Sequence, residues 1–497
     1  MKLVTLIFSC LMACLASSIS QEAEKWTSLF DGETLDGWVQ RGGEAKYRVE
    51  EGTIVGTTVP NTPNSFLCTE KEYGDFILEL EFKVNREMNS GIQFRSQSLP
   101  DYKNGQVHGY QCEIDPSDRG WTAGIYDEGR RGWLNDLRNN RAARYAFQQM
   151  KWNQVRIEAV GDHLRTWING VPAADLKDDM TPRGFIALQV HGVGDREESM
   201  EVSWRNIRIQ ENPKPFSAVA AAAVEIPEGP VVPEKLEIRK LAEGFKFTEG
   251  PAVGPKGKIY FNDIPNERTH VYDPTTGKSR VFRAATGRAN GLYWTPAQAL
   301  VACEGGHRRV TRTGAGGIVE VLAGEFEGKK FNSPNDLVVD DFGGIYFTDP
   351  NYGKDKSDLE LEVEAVYYID RRGKLTQVAA DLVKPNGIIL SPDNQILYIA
   401  DPGAETIWAY DVTGEGVLAN KRKFAAIGSD GMTMDTAGRV YCTWKGDVWI
   451  FSAGGEEVGR ITFPEGPANC TLVGKILYVT ARTGFYAVEI NAVGLLP

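Results

Sequence analysis

Six oxygen-bearing side chains recur at near-regular spacing in the C-terminal half of the sequence: Glu249, Asn290, Asn335, Asn386, Asp430 and Asn469. The steps between them are 41, 45, 51, 44 and 39 residues. Two carboxylates and four amides offer only oxygen ligands, the set a hard divalent cation takes. Each opens an alternating apolar run, usually followed by a Gly/Pro/Asp turn and a second strand. A repeat of this length built from strands and turns marks the blades of a propeller. If equivalent positions begin equivalent inner strands, the six side chains meet on one axis, and ring closure preorganises them.

Any single member of this set is weak. Asn-Gly and Asp-Gly are common turn dipeptides, so Asn386-Gly387 alone reads as a turn. Six in phase at the same point of a repeat carry the inference.

A second concentration of polar groups lies further upstream. In "GIQFRSQ" (91–97), "GYQCEID" (109–115) and "FIALQVHG" (185–192), residues two apart share a face. Gln93 and Arg95 therefore form one polar row, Gln111, Glu113 and Asp115 another, and Gln189 and His191 a third. A solvated sheet face explains such rows equally well. Amides, acids and a histidine are also what a carbohydrate groove uses, with Trp121 and Trp133 available to stack on sugar rings or to fill the core.

The elements needed to hold these groups are strands. The chain has 497 residues, 53 of them Gly, with 10% aromatics, and no long window has helical periodicity. Two or three domains are expected, all of them β. The linker is "ENPKPFSAVAAAAVEIPEGPVVPE" (211–234), rich in Pro and Ala. It separates a two-sheet sandwich (24–210) from the propeller (235–497). A formal net charge of −12 without Lys/Arg clusters argues against nucleic acid as a partner.

Residues 1–20 read as an export signal, with Lys2 ahead of an apolar run from Leu3 to Leu15 that is too short to span a membrane. The expected location is periplasmic or extracellular. Cleavage after Ser20 would release a soluble protein, whereas "LMAC" resembles a lipoprotein box that would anchor the chain through Cys14. The remaining cysteines, Cys68, Cys112, Cys303, Cys442 and Cys470, lack paired spacing and read as small core residues.

"SLFDGETLDGW", "MNSGIQFRS", "GYQCEID", "AGIYDEGRRG", "KWNQVRIEAVGDHLRTWING" and "FIALQVHG…VSWRNIRI" resemble, in order, the bacterial 3-keto-disaccharide hydrolase domain family. The resemblance implies a concanavalin-like jelly-roll sandwich acting on 3-keto glycosides. A C3 ketone acidifies the C2 hydrogen, so a base could drive loss of the C1 substituent, followed by hydration. Glu113, Asp115 and His191 are the candidates for base, acid or metal ligand. The other reading of this domain is a carbohydrate-binding module.

"TEGPAV", "ANGLYW", "CEGGHRRVTR", "NSPNDLVVD", "YFTDPNYG", "PNGIILSPD" and "SDGMTMD" resemble the gluconolactonase family, also called senescence-marker-protein-like and luciferin-regenerating-enzyme-like. That resemblance implies a six-bladed propeller and one divalent metal, commonly Ca²⁺ and sometimes Zn²⁺. Its ligands would be Glu249, Asn386 and Asp430, with Asn335 reaching metal or substrate beside them. Asn290 and Asn469 would be support, and Asn290 also a substrate contact. The implied reaction is hydrolysis of a small sugar lactone with Asp430 as base. Glu304, His307 and Arg308, with Asp349 and Tyr352, match loops near the channel mouth and would bind substrate hydroxyls. Where animal members carry Arg, this chain has Ser333, as bacterial members often do, which leaves the lactone open. A propeller serving as a non-catalytic scaffold is the alternative.

Overall fold

A computed structural model describes residues 26–85, 88–213, 227, 229–314, 316–352 and 357–495. The export signal, Cys14 and most of the linker lie outside these residues.

The N-terminal part is a sandwich of two antiparallel sheets, of eight and seven strands among the described residues. Alternation drives it. In Phe76–Val84 the side chains of Phe76, Leu78, Leu80, Phe82 and Val84 are buried. Glu79 and Glu81, on the opposite face, pair with Arg156 at 2.6 Å and Arg205 at 2.6 Å. The second sheet contributes Ile92, Phe94, Tyr110, Cys112, Ile114 and Leu188 to the same core. Burial of such side chains contributes roughly 1.5–3 kcal/mol each, far more than the outward ion pairs.

The C-terminal part is the six-bladed propeller, each blade a four-stranded antiparallel sheet. The axial residues lie in or just before the inner strands, at Thr248–Val253, Ala289–Trp294, Leu337–Val339, Ile388–Leu390, Met432–Met434 and Pro467–Val473. Beyond the inner and second strands that the repeat predicts, every blade has two more. In the last blade the fourth strand comes from the start of the domain: Arg239–Glu243 pairs with Gly484–Glu489. Separation in sequence hid that strand. Cys68, Cys112, Cys303, Cys442 and Cys470 are buried free thiols.

The two domains touch through the sandwich's short helix Arg141–Arg144 and the segment that follows it. Arg144 and Asp341 form a buried ion pair. The Tyr145 and Tyr293 hydroxyls are 2.9 Å apart, and Gln298 Nε2 donates to the Phe147 carbonyl at 3.1 Å. Phe342 packs against the sandwich core beside Trp121. Below the axial residues the channel is an internal space of about 140 Å³ lined by Val253, Leu292, Val339, Met434 and Leu472, with Arg141 at its far end. The sandwich thus covers that end, and the opposite mouth faces solvent.

Candidate functional site

At the mouth, Asn386 Nδ2 donates to Asp430 Oδ1 at 2.7 Å and lies 2.6 Å from the Tyr352 hydroxyl. Glu249 is buried, with Oε2 accepting the Gly250 amide at 2.9 Å. Burial and the Asp430 carboxylate push the Glu249 carboxyl well above its ordinary range. Burial likewise raises Asp430. No lysine or arginine pairs with either carboxylate among the described residues. Asn335 is held by its backbone, its amide bonding the Thr348 carbonyl at 2.9 Å and its carbonyl accepting from Gly291 at 2.7 Å. Asn290 Oδ1 is buried without a hydrogen-bond partner.

The glycines that follow the axial residues are not turn residues. A Cβ on Gly431 would sit 1.9 Å from Asn469 Cγ, and one on Gly250 would sit 1.9 Å from the Asn290 carbonyl oxygen. Each glycine is the seat of the next blade's axial residue, so the doublet encodes ring closure. Two doublets lack glycine, Asn335-Asp336 and Asn469-Cys470, and in the first a third carboxylate enters. Asp336 Oδ1 accepts the Leu337 amide at 3.0 Å, and Oδ2 lies 3.4 Å from Asn469 Nδ2. Burial raises its carboxyl to about 7. The sequence reading missed Asp336 because only the first residue of each doublet was taken as axial. Its signal is the acid standing where four other blades have glycine. It does not complete a triad: no three His, Cys, Asp or Glu side chains converge as a metal group among the described residues.

The donor set fits a hard cation: two unpaired buried acids, flanking amides and an orphaned amide oxygen. Such a group requires a compensating positive charge to stay ionised.

The other mouth candidates divide. Tyr352 meets the centre through its hydroxyl. Asp349 does not: it accepts the amides of Asn332 at 2.8 Å and Ser333 at 2.7 Å, fixing the turn that leads to Asn335. Asp263 and Asp401 do the same for Lys246–Phe247 and Val383–Lys384. An acid thus ends the second strand in four of the six blades, and in three of them it holds backbone amides. Glu304 holds the equivalent place in its blade and accepts from Arg283 at 2.6 Å, Arg309 at 2.8 Å and His307 Nδ1 at 3.0 Å. Burial opposes its charge, but these donors keep its carboxyl below the ordinary value. His307 is therefore tied to Glu304, and Arg308 to the Phe331 carbonyl.

In the sandwich, Glu113 is buried, its Oε1 accepting from Asn89 at 2.7 Å and Oε2 from Gln111 at 2.6 Å. Gln93 continues the row to Gln111 at 2.5 Å, and Ser96 donates to Gln93 at 2.7 Å. Both amide atoms of buried Gln189 lack partners. Burial, with the Asp115 charge, raises Glu113 to about 7. The other two candidates stand apart. Asp115 pairs with Arg119 at 2.9 Å and caps the Ser117 amide at 3.1 Å, anchoring the following loop. His191 lies past the strand end, exposed, with Nδ1 2.7 Å from the Gly192 carbonyl. Arg95 also leaves the row: a bulge at φ 46° turns it to the Gly74 and Gly161 carbonyls. Trp121 is a buried aromatic packed edge-on to Trp133, not a sugar platform.

Residues 25–210 match the model of the 3-keto-alpha-glucoside-1,2-lyase-like domain, and residues 247–483 that of the SMP-30/gluconolactonase/LRE-like region. The chain is 29% identical to the gluconolactonase of Zymomonas mobilis over 52% of its own length and 82% of that protein. It is 27% identical to the pentonolactonase XacC of Haloferax volcanii, over 48% and 82% respectively. Among solved structures, the gluconolactonase XC5397 of Xanthomonas campestris matches with 30% identity and a TM-score of 0.50, covering 55% of this chain and 99% of that one. Through its propeller the chain belongs to the SMP-30/gluconolactonase/LRE-like family, and it carries a 3-keto-alpha-glucoside-1,2-lyase-like domain ahead of it.

Proposed function

We propose that the protein hydrolyses a small sugar lactone at the solvent-facing mouth of the propeller, with Glu249, Asn335, Asn386 and Asp430 holding one divalent cation, preferentially Ca²⁺. The observation that carries this reading is the pair of buried acids, Glu249 and Asp430, flanked by amides and without an ion-pair partner among the described residues, with only the more distant charge of Arg482 reaching Asp430. An oxygen-only donor set suits Ca²⁺ better than Zn²⁺, which favours nitrogen and sulfur. A bound cation would polarise the lactone carbonyl.

The chain's own groups do the rest. Asp430 takes a proton from water as the water oxygen bonds to the carbonyl carbon. Its bond from Asn386 holds the carboxylate in place for that transfer. The ring C–O bond then breaks, and the proton passes to the departing oxygen, leaving an open-chain hydroxy acid. The Tyr352 hydroxyl lies where it can hydrogen-bond the carbonyl oxygen as charge develops.

For the sandwich we infer action on 3-keto glycosides with Glu113 as the base at C2. A carboxyl raised towards neutrality by burial is suited to proton abstraction. For the leader we infer export, by cleavage after Ser20 or lipidation of Cys14. Fractionation of cells expressing Cys14→Ser separates the two routes.

Metal analysis with lactone turnover tests the main reading. The wild-type chain is expected to hold one ion and to lose activity on chelation. Asp430→Asn is expected to lose roughly 10²–10³ in kcat, the scale of removing a principal charge-stabilising or proton-transfer group. Full activity in Asp430→Asn would favour a non-catalytic scaffold.

A further inference from the structure

The rim of the mouth carries a guanidinium, that of Arg482, which makes no ion pair among the described residues and whose charge reaches Asp430 only at longer range. Arg482 follows the strand Ile476–Ala481 with its backbone in the left-handed region (φ 46°), and its carbonyl accepts the Thr248 amide at 2.8 Å. The guanidinium lies 5.6 Å from the centre of the Phe247 ring. With Phe247, Tyr352, Trp444 and Asp430 it lines a space of about 310 Å³, the small end of the range for ligand pockets.

The neighbouring acids are engaged elsewhere. Glu405 pairs with Lys445 at 3.0 Å and Glu364 with Lys384 at 3.6 Å. Glu465 accepts from Thr483 and from the Tyr486 hydroxyl and pairs with Lys240 at 3.3 Å. Arg482 makes no ion pair among the described residues. A lone surface arginine is ordinary. This one shares a cavity with the proposed base and rests against an aromatic wall. A divalent cation held by Glu249 and Asp430 would offset the Asp430 charge that reaches Arg482, leaving the guanidinium available to an anion at the mouth.

We propose that Arg482 selects sugar lactones bearing an anionic substituent, a carboxylate or a phosphate, gripping that group at the rim while the lactone carbonyl faces Asp430 and Asn386. The planar fork of arginine matches either anion bidentately. This rests on the lactonase reading of the same site.

The test uses the full Ca²⁺-loaded chain on three substrates: a neutral hexonolactone, a hexarolactone with a free carboxylate, and a phosphorylated hexonolactone. The acidic lactones are expected to have the higher kcat/KM. Arg482→Gln should lower the acidic-to-neutral ratio by about 10–100-fold, chiefly through KM, with Arg482→Lys recovering part of it. A fall for only one acidic lactone identifies which anion the rim takes. An unchanged ratio in Arg482→Gln overturns the proposal. If no lactone is hydrolysed, the lactonase reading fails separately. Calorimetric titration with the open-chain hexarate and hexonate then decides. Tighter hexarate binding that Arg482→Gln abolishes supports an anion site, and equal binding of both acids overturns it.

Discussion

Asn386 and Asp430 come from neighbouring blades and are joined side chain to side chain at 2.7 Å, with the Tyr352 hydroxyl 2.6 Å from the same amide nitrogen. One amide thus orients both the proposed base and the Tyr352 hydroxyl. Both of its donor contacts are made to protein groups.

Asn386→Leu, close in volume, is expected to weaken cation binding by about 10–100-fold, the scale seen on losing orienting contacts around a metal. Cation titration monitored by calorimetry checks this. Tyr352→Phe should leave that titration unchanged and lower kcat. A fall of cation affinity in Tyr352→Phe would make the tyrosine a ligand-positioning group instead.

The glycine seats make a stability prediction. In Gly431→Ala the added methyl would overlap Asn469, where the ring has no slack. Overpacking of this kind costs about 1–3 kcal/mol. The propeller's denaturant midpoint should fall, and the pairing of Asn469 with Asp336 should be lost along with part of the cation affinity.

Much of this was legible in the sequence. Strand alternation and the blade period gave the sandwich, the ring and the axial residues. The fourth strand of the last blade was not legible, because Arg239–Glu243 and Gly484–Glu489 are partners only after closure. Nor were the roles of Asp349 and Glu304. An acid ending a strand beside a functional loop reads alike whether it faces substrate or holds backbone amides. Asp115 and His191 show the same limit, since alternation predicts a face only while the strand continues.

The domain interface offers a sharper test. Arg144→Ala leaves Asp341 buried without its partner, and breaking a buried pair from one side costs about 3–5 kcal/mol. Differential scanning calorimetry should show the sandwich and propeller transitions separating or both falling. The double variant Arg144→Ala, Asp341→Ala should recover part of the loss, because no charge is then stranded.

Glu113 gives a pH prediction. Its carboxyl is raised to about 7 in the folded state against 4.5 in an unfolded chain. The folded state therefore binds the proton more tightly, and this stabilisation is present below pH 4.5 and lost as pH rises through about 7. The sandwich's denaturant midpoint should decline over that window, and Glu113→Gln should flatten the decline. Turnover of 3-keto glycosides should run the opposite way, rising through about pH 7 as the base ionises, and should vanish in Glu113→Gln.

The strand that closes the last blade sets the order in which this protein can be made. The sandwich is finished by Glu211, so it can fold while the rest is still being synthesised. The ring cannot. Arg239–Glu243 must wait for Gly484–Glu489, some 240 residues later, and Glu249 gains the neighbour that completes its circle only when Asn469 has emerged. Such long-range pairing folds slowly. The propeller centre therefore comes into being only after the segment through Glu489 has been made, on a chain whose first domain is already in place to receive it.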